Sequence, residues 1–220
     1  MLLGFALGLK HATDADHVVA VSTMLSEERR WLRSCWIGLF WGIGHTASLM
    51  VAGLLVVLLK TPISESTALW LETGVALMLV VLGVRVLIRS FHKHEHAHPD
   101  AGSHVHWHMH LDSRKALSHS GWTHFAWRPV LVGLVHGAAG SAALTLLVLS
   151  TISSTLTAIV YILIFGLGSI LGMMAISALI ALPLSLAGRR LSSVIHSLQI
   201  ASAVASCAFG IYLGVHLWLV

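Results

Sequence analysis

Four ionisable side chains with metal-binding chemistry fall within seven residues near the start of the chain. The segment His11-Ala12-Thr13-Asp14-Ala15-Asp16-His17 follows Lys10 and lies inside an otherwise apolar stretch, residues 2–25. Each Lys or Asp at the centre of a membrane helix opposes insertion by roughly 2.5–3.5 kcal/mol. Such groups must therefore face other helices, water or a bound ion, which makes them candidates for a functional site.

The spacing of these side chains favours a divalent transition metal. On a continuous helix, His11, Asp14 and His17 share a face about 120° wide. Two imidazoles and one carboxylate suit nickel, cobalt or zinc, whereas magnesium and calcium prefer mostly oxygen ligands. Asp16 lies about 140° from His11, so either the helix is broken here or Asp16 orients a histidine of another helix. A further hypothesis is that Lys10 and Asp14 form an ion pair that a metal displaces.

Polar residues in later apolar spans extend the candidate site. His45 follows a Gly-Ile-Gly sequence that lets another backbone approach closely, and His136 lies in a later span. The candidate metal ligands are His11, Asp14, Asp16, His17, His45 and His136. The alternative is a buried polar network that only locks helices together. That alternative is stronger for His196 and His216, which lie near the ends of the last span, and it is about even with a functional role for Glu72 in the third span.

The composition is that of a polytopic membrane protein. The chain has 220 residues, of which 56% are hydrophobic and 10% are charged, and its mean hydropathy is +0.85. We predict an all-α integral membrane protein with about six transmembrane helices, each long enough for a hydrocarbon core of about 30 Å. The predicted spans are residues 2–25, 35–59, 67–90, 129–150, 155–182 and 195–219.

The basic residues predict how the chain is threaded. Of the thirteen Lys and Arg residues, nine lie in the first, third and fifth loops and two, Arg85 and Arg89, lie near the end of the third span on the same side, which leaves only Lys10 and Lys60 elsewhere. The positive-inside rule then places these loops in the cytoplasm and both termini outside the cytoplasmic (inner) membrane. Because the first span lacks a preceding basic region, we expect no cleavable signal peptide.

The two halves of the chain match at a shift of about 125 residues. The matching segments are Gly8-Leu9-Lys10-His11 with Gly133-Leu134-Val135-His136, Gly42-Ile43-Gly44-His45 with Gly166-Leu167-Gly168-Ser169, Glu72 with Gln199, and Gly83 with Gly210. Three spans per half is an odd number, so the halves would insert with opposite orientation. We therefore predict two inverted three-helix repeats, residues 1–91 and 129–220, with a substrate site near the midplane between them.

The pattern His-x4-Asp-His, formed by His11, Asp16 and His17 within LGLKHATDADHVVAV, resembles the signature of the nickel/cobalt transporter (NiCoT) family. The sequence FWGIGHTASL around His45 is similar to the next helix of that family, and the likeness is closest to its shorter, urease-associated branch. The resemblance is strong over residues 4–53 and topological beyond them. It implies that His11, Asp14, Asp16, His17 and His45 recognise the metal. The chain has about six spans rather than the eight of the longer members, and it lacks clear counterparts of their later motifs.

A histidine-rich loop, residues 92–128, joins the predicted repeats. Ten of the sixteen histidines lie in this loop, between residues 92 and 124. Alternating histidines interrupted by Pro99 and Gly102 predict a mobile segment rather than a third domain. At this density, imidazoles bind nickel, cobalt, zinc or copper with little selectivity, so we expect a cytoplasmic metal buffer or sensor. The alternative is a solvated linker. The expected low-affinity ligands are His92, His94, His96, His98, His104, His106, His108 and His110.

Together these features predict a secondary transporter of Ni2+ and/or Co2+, with uptake favoured over efflux. Efflux through the same site, with the histidine-rich loop collecting metal, is the alternative. A membrane redox carrier is a remote alternative, because it would need matched cysteines in the two halves. Cys35 instead starts the second span, whereas Cys207 lies inside the sixth. A metal-dependent membrane hydrolase is equally remote, and we expect no enzymatic activity.

The expected partners follow from this function. The metal is a transported substrate rather than a permanent cofactor, and the lipid bilayer is the surrounding solvent. Because no nucleotide-binding motif is present, coupling would come from the membrane potential or from protons. A metallochaperone for urease or hydrogenase maturation is a candidate partner, whereas nucleic acid is not.

Overall fold

The computed structural model of the chain consists of helices and one small β-hairpin. It describes residues 1–28, 30–59, 63–90, 93–98, 102–107, 122–151, 154–186 and 192–219. Within these ranges the elements are α1 (Leu2–His11), α2 (Ala15–Leu25), α3 (Trp31–Leu59), α4 (Glu65–Ser90), β1 (Lys93–His98), β2 (Gly102–Trp107), α5 (Trp122–Thr151), α6 (Thr155–Leu186) and α7 (Ser192–Leu219). Apart from the hairpin, the described architecture is helical, as the sequence predicts.

Four of the described helices are long and apolar enough to cross a membrane. They are α3, α4, α6 and residues Val194–Leu219 of α7. Each has at least 26 residues, which exceeds the about 20 that a bilayer core requires. Large apolar side chains such as Leu55 and Leu179 are exposed on the outside of these helices, where lipid would cover them. The chain is a multi-pass membrane protein.

The first apolar stretch is interrupted in its middle. α1 ends at His11 and α2 begins at Ala15, and the intervening Asp14 has extended backbone angles (φ −63°, ψ 149°). The two helices have 10 and 11 residues, so neither alone is long enough to span a bilayer. Broken helices occur at membrane depth where the break is buried in protein or lines a polar cavity. An interrupted helix is thus one of the two arrangements that the position of Asp16 predicted.

α3 and α6 run antiparallel along the core of the bundle. Residues later in α3 contact residues earlier in α6. The facing pairs are Gly38 with Ser177, Gly42 with Ile170, and Gly53 with Ile162. Near the middle of this contact, the Thr46 hydroxyl donates a hydrogen bond to the Gly166 carbonyl at 3.2 Å.

α1 packs on α6, and α5 packs on α3, through glycines that let backbones touch. Gly8 of α1 faces the carbonyl of Phe165 in α6. Gly133 of α5 faces the carbonyl of Trp41 in α3. A Cβ atom at either glycine would overlap the facing carbonyl, so only glycine allows these approaches.

α4 and α7 form a second antiparallel pair. The hydroxyl of Ser206 in α7 donates a hydrogen bond to the Leu79 carbonyl of α4 at 2.7 Å. Close glycine contacts flank this bond on both sides, Gly83 with Ala203 and Gly210 with Ala76. α2 also rests on α7, where the Thr23 hydroxyl donates to the Ser202 carbonyl at 3.2 Å.

Two separate groups of buried apolar side chains fill the described interior. The Trp41 group consists of Ala12, Ala20, Val21, Leu25, Ile37, Trp41, Val75, Leu79, Ala139 and Met173. The Phe165 group consists of Leu49, Val57, Ala158, Ile162 and Phe165. Trp41 and Leu49 lie one helical turn to either side of His45 in α3, so the two groups lie on opposite sides of that histidine.

β1 and β2 pair as an antiparallel hairpin inside the histidine-rich loop. The register places His94 opposite His106 and His96 opposite His104. The sequence did not predict these strands, because a polar His-x-His alternation lacks the apolar face by which a strand is recognised. That the segment is mobile and forms no third domain stays a prediction. Three predicted loop ligands, His92, His108 and His110, lie outside the described residues. α5 begins at Trp122, before the predicted boundary at residue 129.

Candidate metal centre

Four imidazoles from both halves of the chain converge in the middle of the bundle, and we call them the histidine cluster. His17 lies at its centre, with ring centroids 4.5 Å from His11, 5.2 Å from His45 and 4.0 Å from His136. His17, His45 and His136 are at most 2% exposed, and the His11 side chain is 20% exposed. All four were predicted from the sequence, but only the tertiary structure brings them together.

The break between α1 and α2 brings His11 and His17 close to each other. Six residues of continuous helix would separate them by about 9 Å along the axis. The interruption instead brings their rings to 4.5 Å. The stripe of His11, Asp14 and His17 expected on an ideal helix therefore does not form, because the helix ends at His11.

Asp14 holds His11 at the edge of the cluster. Nδ1 of His11 donates a hydrogen bond to Oδ2 of Asp14 at 2.8 Å. Asp14 is also the N-cap residue of α2, yet its side chain makes no capping hydrogen bond. The hypothetical ion pair between Lys10 and Asp14 is absent among the described residues. The chain turns between the two, and this turn removes the helical spacing on which that pair depended.

Asp16 connects an imidazole from each half of the chain. Its Oδ1 accepts hydrogen bonds from the backbone N–H of His17 at 2.9 Å and from His17 Nδ1 at 3.0 Å. Its Oδ2 accepts a hydrogen bond from Nε2 of His136 at 2.9 Å. An ionised carboxylate only accepts, so each ring carries its proton on the nitrogen that faces Asp16. The opposite nitrogen of each ring is left with a free lone pair.

Five imidazole nitrogens of the cluster are buried without a hydrogen-bond partner in the described part of the chain. They are Nε2 of His11, Nε2 of His17, Nδ1 of His136 and both ring nitrogens of His45. A buried polar group left without a partner costs about 1–3 kcal/mol, so this many in one place requires an explanation. A transition metal would account for one nitrogen of each ring, because a neutral imidazole binds such an ion through its unprotonated nitrogen.

The potential ligand atoms form two overlapping groups. One group is His11, His17 and His45, and the other is Asp16, His17 and His136. Within each group the ligand atoms lie within 4.8 Å of one another. Two nitrogens on opposite sides of one ion are about 4 Å apart, since a metal–imidazole bond measures about 2.1 Å. Movements of under about 1 Å would therefore complete either site.

Two aromatic residues that sequence reasoning missed border the cluster. The Trp41 ring centroid lies 5.4 Å from that of His17 and 5.8 Å from that of His136. Its indole nitrogen is buried and has no hydrogen-bond partner among the described residues. The Phe165 ring centroid lies 5.6 Å from that of His11. Their signal in the sequence is positional, because each stands four residues before a matched repeat position, His45 or Ser169.

The isolated polar residues of the other spans join neither ligand group among the described residues. His196 is buried and both of its ring nitrogens lack a partner there. His216 is exposed and stacks on Tyr212, with 5.8 Å between ring centroids. Glu72 is half-buried in α4.

The chain is similar to known nickel-transport and urease accessory proteins. The chain matches the family NicO, described as "High-affinity nickel-transport protein", over residues 1–219. It is 37% identical over 214 residues to the "Urease accessory protein UreH" of Bacillus sp. (strain TB-90), a match that covers 96% of this chain and 89% of that protein. It is 33% identical over 76 residues to the "High-affinity nickel transport protein" of Cupriavidus necator, covering 33% of this chain and 21% of that protein. No solved structure matches.

These matches confirm the resemblance to nickel transporters that the His-x4-Asp-His pattern indicated, and they extend it over nearly the whole chain. The chain belongs to the NicO family of high-affinity nickel-transport proteins.

Proposed function

We propose that this chain carries Ni2+, and Co2+ by the same ligand preference, into the cell across the cytoplasmic membrane through the histidine cluster. Membership in a nickel-transport family makes its function transport rather than catalysis, with nickel as cargo instead of a permanent cofactor. The observation that carries the proposed route is the convergence of five buried imidazole nitrogens without partners.

His11, His17 and His45 are the proposed primary ligands. Their free nitrogens belong to one ligand group, and three imidazoles select nickel or cobalt over magnesium or calcium. Asp14 and Asp16 would act by orienting these rings. A carboxylate that accepts the proton of one ring nitrogen fixes the tautomer and makes the other nitrogen a better ligand.

His136 is the proposed contribution of the second half. Asp16 orients it as it orients His17, and the two rings lie only 4.0 Å apart. His17 belongs to both ligand groups, so an ion held by His17 could also reach the group that contains His136. The two groups make different predictions for substitutions of His45 and His136.

An inverted repeat would let this site face each side of the membrane in turn. We infer that α1–α4 and α5–α7 are such repeats, because their close contacts recur at matching positions. The contacts are Gly8 with Phe165 and Ser169, Gly133 with Trp41 and His45, Gly83 with Ala203 and Cys207, and Gly210 with Ala76 and Val80. Under the shift of about 125 residues, each contact of one half has its counterpart in the other. Unrelated halves would have no reason to repeat these partners.

The proposed threading counts α1 and α2 together as one of six crossings, with both termini outside. One ion pair supports a common side for the α2–α3 loop and the end of α4. Arg89 near the end of α4 pairs with Glu27 of that loop at 2.9 Å. The positive-inside rule makes this side cytoplasmic, and the histidine-rich loop follows α4 on it.

Uptake is the preferred direction because the relative from Bacillus is named a urease accessory protein. Supplying nickel to an enzyme inside the cell requires import, and a metallochaperone for urease or hydrogenase maturation would receive the ion. The hairpin pairs His94 with His106 and His96 with His104, so it could retain nickel weakly on the receiving side.

Flux measurements in liposomes with the reconstituted full chain would test the proposal. We expect saturable Ni2+ flux that Co2+ inhibits and Mg2+ does not, and we expect His17→Ala to reduce it about 100-fold or more. His216→Ala is the matched control, since His216 is exposed and stacks on Tyr212. Undiminished flux in His17→Ala would overturn the proposed site. Flux driven only from inside to outside would replace uptake with efflux.

A further inference from the structure

We propose that Trp41 and Phe165 are the two gates of the transport path, each closing the histidine cluster toward one side of the membrane. This inference rests on the proposed function, because a gate is meaningful only if the ion passes through the cluster. It assigns a role to two apolar residues that bind no metal.

The two rings lie next to different members of the cluster. Trp41 is 1% exposed, and its nearest cluster rings are His17 and His136. Phe165 is 5% exposed, and its neighbour in the cluster is His11. Each ring is therefore buried, flat and large, and stands within about one ring's width of the proposed ligands.

The rings lie on opposite sides of the cluster. In α3, Trp41 precedes His45 by one turn, whereas Leu49 follows it by one turn. Phe165 belongs to the same apolar group as Leu49, and Trp41 belongs to the other group. Trp41 lies in the half of α3 nearer its start, and Phe165 lies in the half of α6 nearer its start. Because α3 and α6 are antiparallel, these two starts are at opposite ends of the bundle. Under the proposed threading, the Trp41 end is cytoplasmic.

The two residues also hold corresponding positions in the two halves. The carbonyl of Trp41 receives Gly133 of α5, and the carbonyl of Phe165 receives Gly8 of α1. A rocking motion of one half against the other would therefore act on both rings through equivalent glycine contacts. Alternating access requires this arrangement, because one gate must open while the other stays closed.

An apolar ring closes an ion path by excluding water, so its removal should open the path to ions that the imidazoles do not select. Mg2+ is a suitable probe because it prefers oxygen ligands and keeps its waters. We would measure Mg2+ and Ni2+ leak into liposomes for Trp41→Ala, Phe165→Ala and the double variant. Ni2+ binding by each purified full-length variant would be measured in detergent.

We expect a Mg2+ leak in each single variant and a leak at least about tenfold larger in the double variant, with Ni2+ binding retained. Phe40→Ala and Tyr161→Ala are the matched controls, since these rings lie on α3 and α6 beside the gates. Phe40 packs on Trp36 and Phe125, and Tyr161 packs against Gly4 and the Phe165 group. In the part of the chain that the structure describes, neither ring contacts an imidazole of the cluster. The controls should stay impermeable to Mg2+.

A double variant that binds Ni2+ and remains impermeable to Mg2+ would overturn the proposal that these rings are gates. If the double variant does not fold, the single variants decide. Single variants that are impermeable to Mg2+ and bind Ni2+ normally would also overturn the proposal. Failure of the proposed function has a different signature, namely unchanged Ni2+ flux in His17→Ala with wild-type gates.

Discussion

Asp16 accepts a hydrogen bond from Nε2 of His136 at 2.9 Å, although the two residues are 120 positions apart in the sequence. The other oxygen of the same carboxylate holds His17. One side chain therefore fixes an imidazole from each half of the chain. A movement that separates the two halves at this point would stretch or break the hydrogen bond to His136, so the positions of the two rings depend on the packing of the bundle.

Replacing Asp16 with Asn tests its orienting role. An amide no longer requires the ring proton to face it, so the favoured tautomer of His17 and His136 is lost. We expect Ni2+ affinity to fall about 10–100-fold, as for other residues that orient metal ligands, while the protein still folds. Calorimetric titration in detergent measures this. Ser22→Ala is a suitable control, since the Ser22 hydroxyl donates a hydrogen bond to the Val18 carbonyl of its own helix. Wild-type affinity in Asp16→Asn would contradict the role.

Substitutions of His45 and His136 distinguish the two ligand groups. If the ion binds His11, His17 and His45, then His45→Gln should abolish high-affinity binding and His136→Gln should weaken it only moderately. If it binds Asp16, His17 and His136, the order is reversed. Titration with Ni2+, combined with X-ray absorption counts of imidazole ligands, measures both variants. Equal and small effects would count against both groups.

Two glycine substitutions should affect stability with opposite signs. A Cβ at Gly8 would overlap the Phe165 carbonyl and lie 2.9 Å from the Ser169 nitrogen, so Gly8→Ala should destabilise by about 1–3 kcal/mol. A Cβ at Gly74 meets only Val135 at 4.0 Å, so Gly74→Ala should stabilise by up to about 1 kcal/mol through helix propensity. Thermal unfolding in detergent measures both. A Gly8→Ala variant as stable as the wild type would contradict the close packing of α1 on α6.

The hairpin histidines should bind nickel separately from the transport site. Replacing His94, His96, His104 and His106 with Ala removes two directly opposed pairs of the hairpin. We expect fewer weakly bound Ni2+ ions per chain and an unchanged half-saturating Ni2+ concentration for flux, because the histidine cluster is intact. Equilibrium dialysis and liposome flux measure the two quantities. Loss of high-affinity flux would show that the loop takes part in transport.

Much of the fold could be read from the sequence because membrane insertion is a local property. Long apolar segments predict spans whatever their neighbours, and α3, α4, α6 and α7 follow the predicted ranges within a few residues. The candidate ligands could be identified for the same reason, since charge is costly at membrane depth and therefore conspicuous. The family was recognisable from one local pattern around His11, Asp16 and His17.

The partners of individual side chains could not be predicted. Helical periodicity grouped Asp14 with His11 and His17 as ligands, whereas the structure turns Asp14 to His11 alone and gives Asp16 the central position. That difference arises from the turn between α1 and α2, which the average preferences of Ala12 and Thr13 do not specify.

By itself the sequence determined the class of protein, four long apolar spans and the family, and it named the candidate metal ligands. Only the tertiary structure decided that His45 and His136 meet His17, that Asp16 links the two halves, and that Trp41 and Phe165 border the cluster. The physical reason is that hydropathy and periodicity act along one helix. The register between helices depends instead on close contacts such as Gly8 with Phe165 and Gly133 with Trp41, which join residues far apart in the chain.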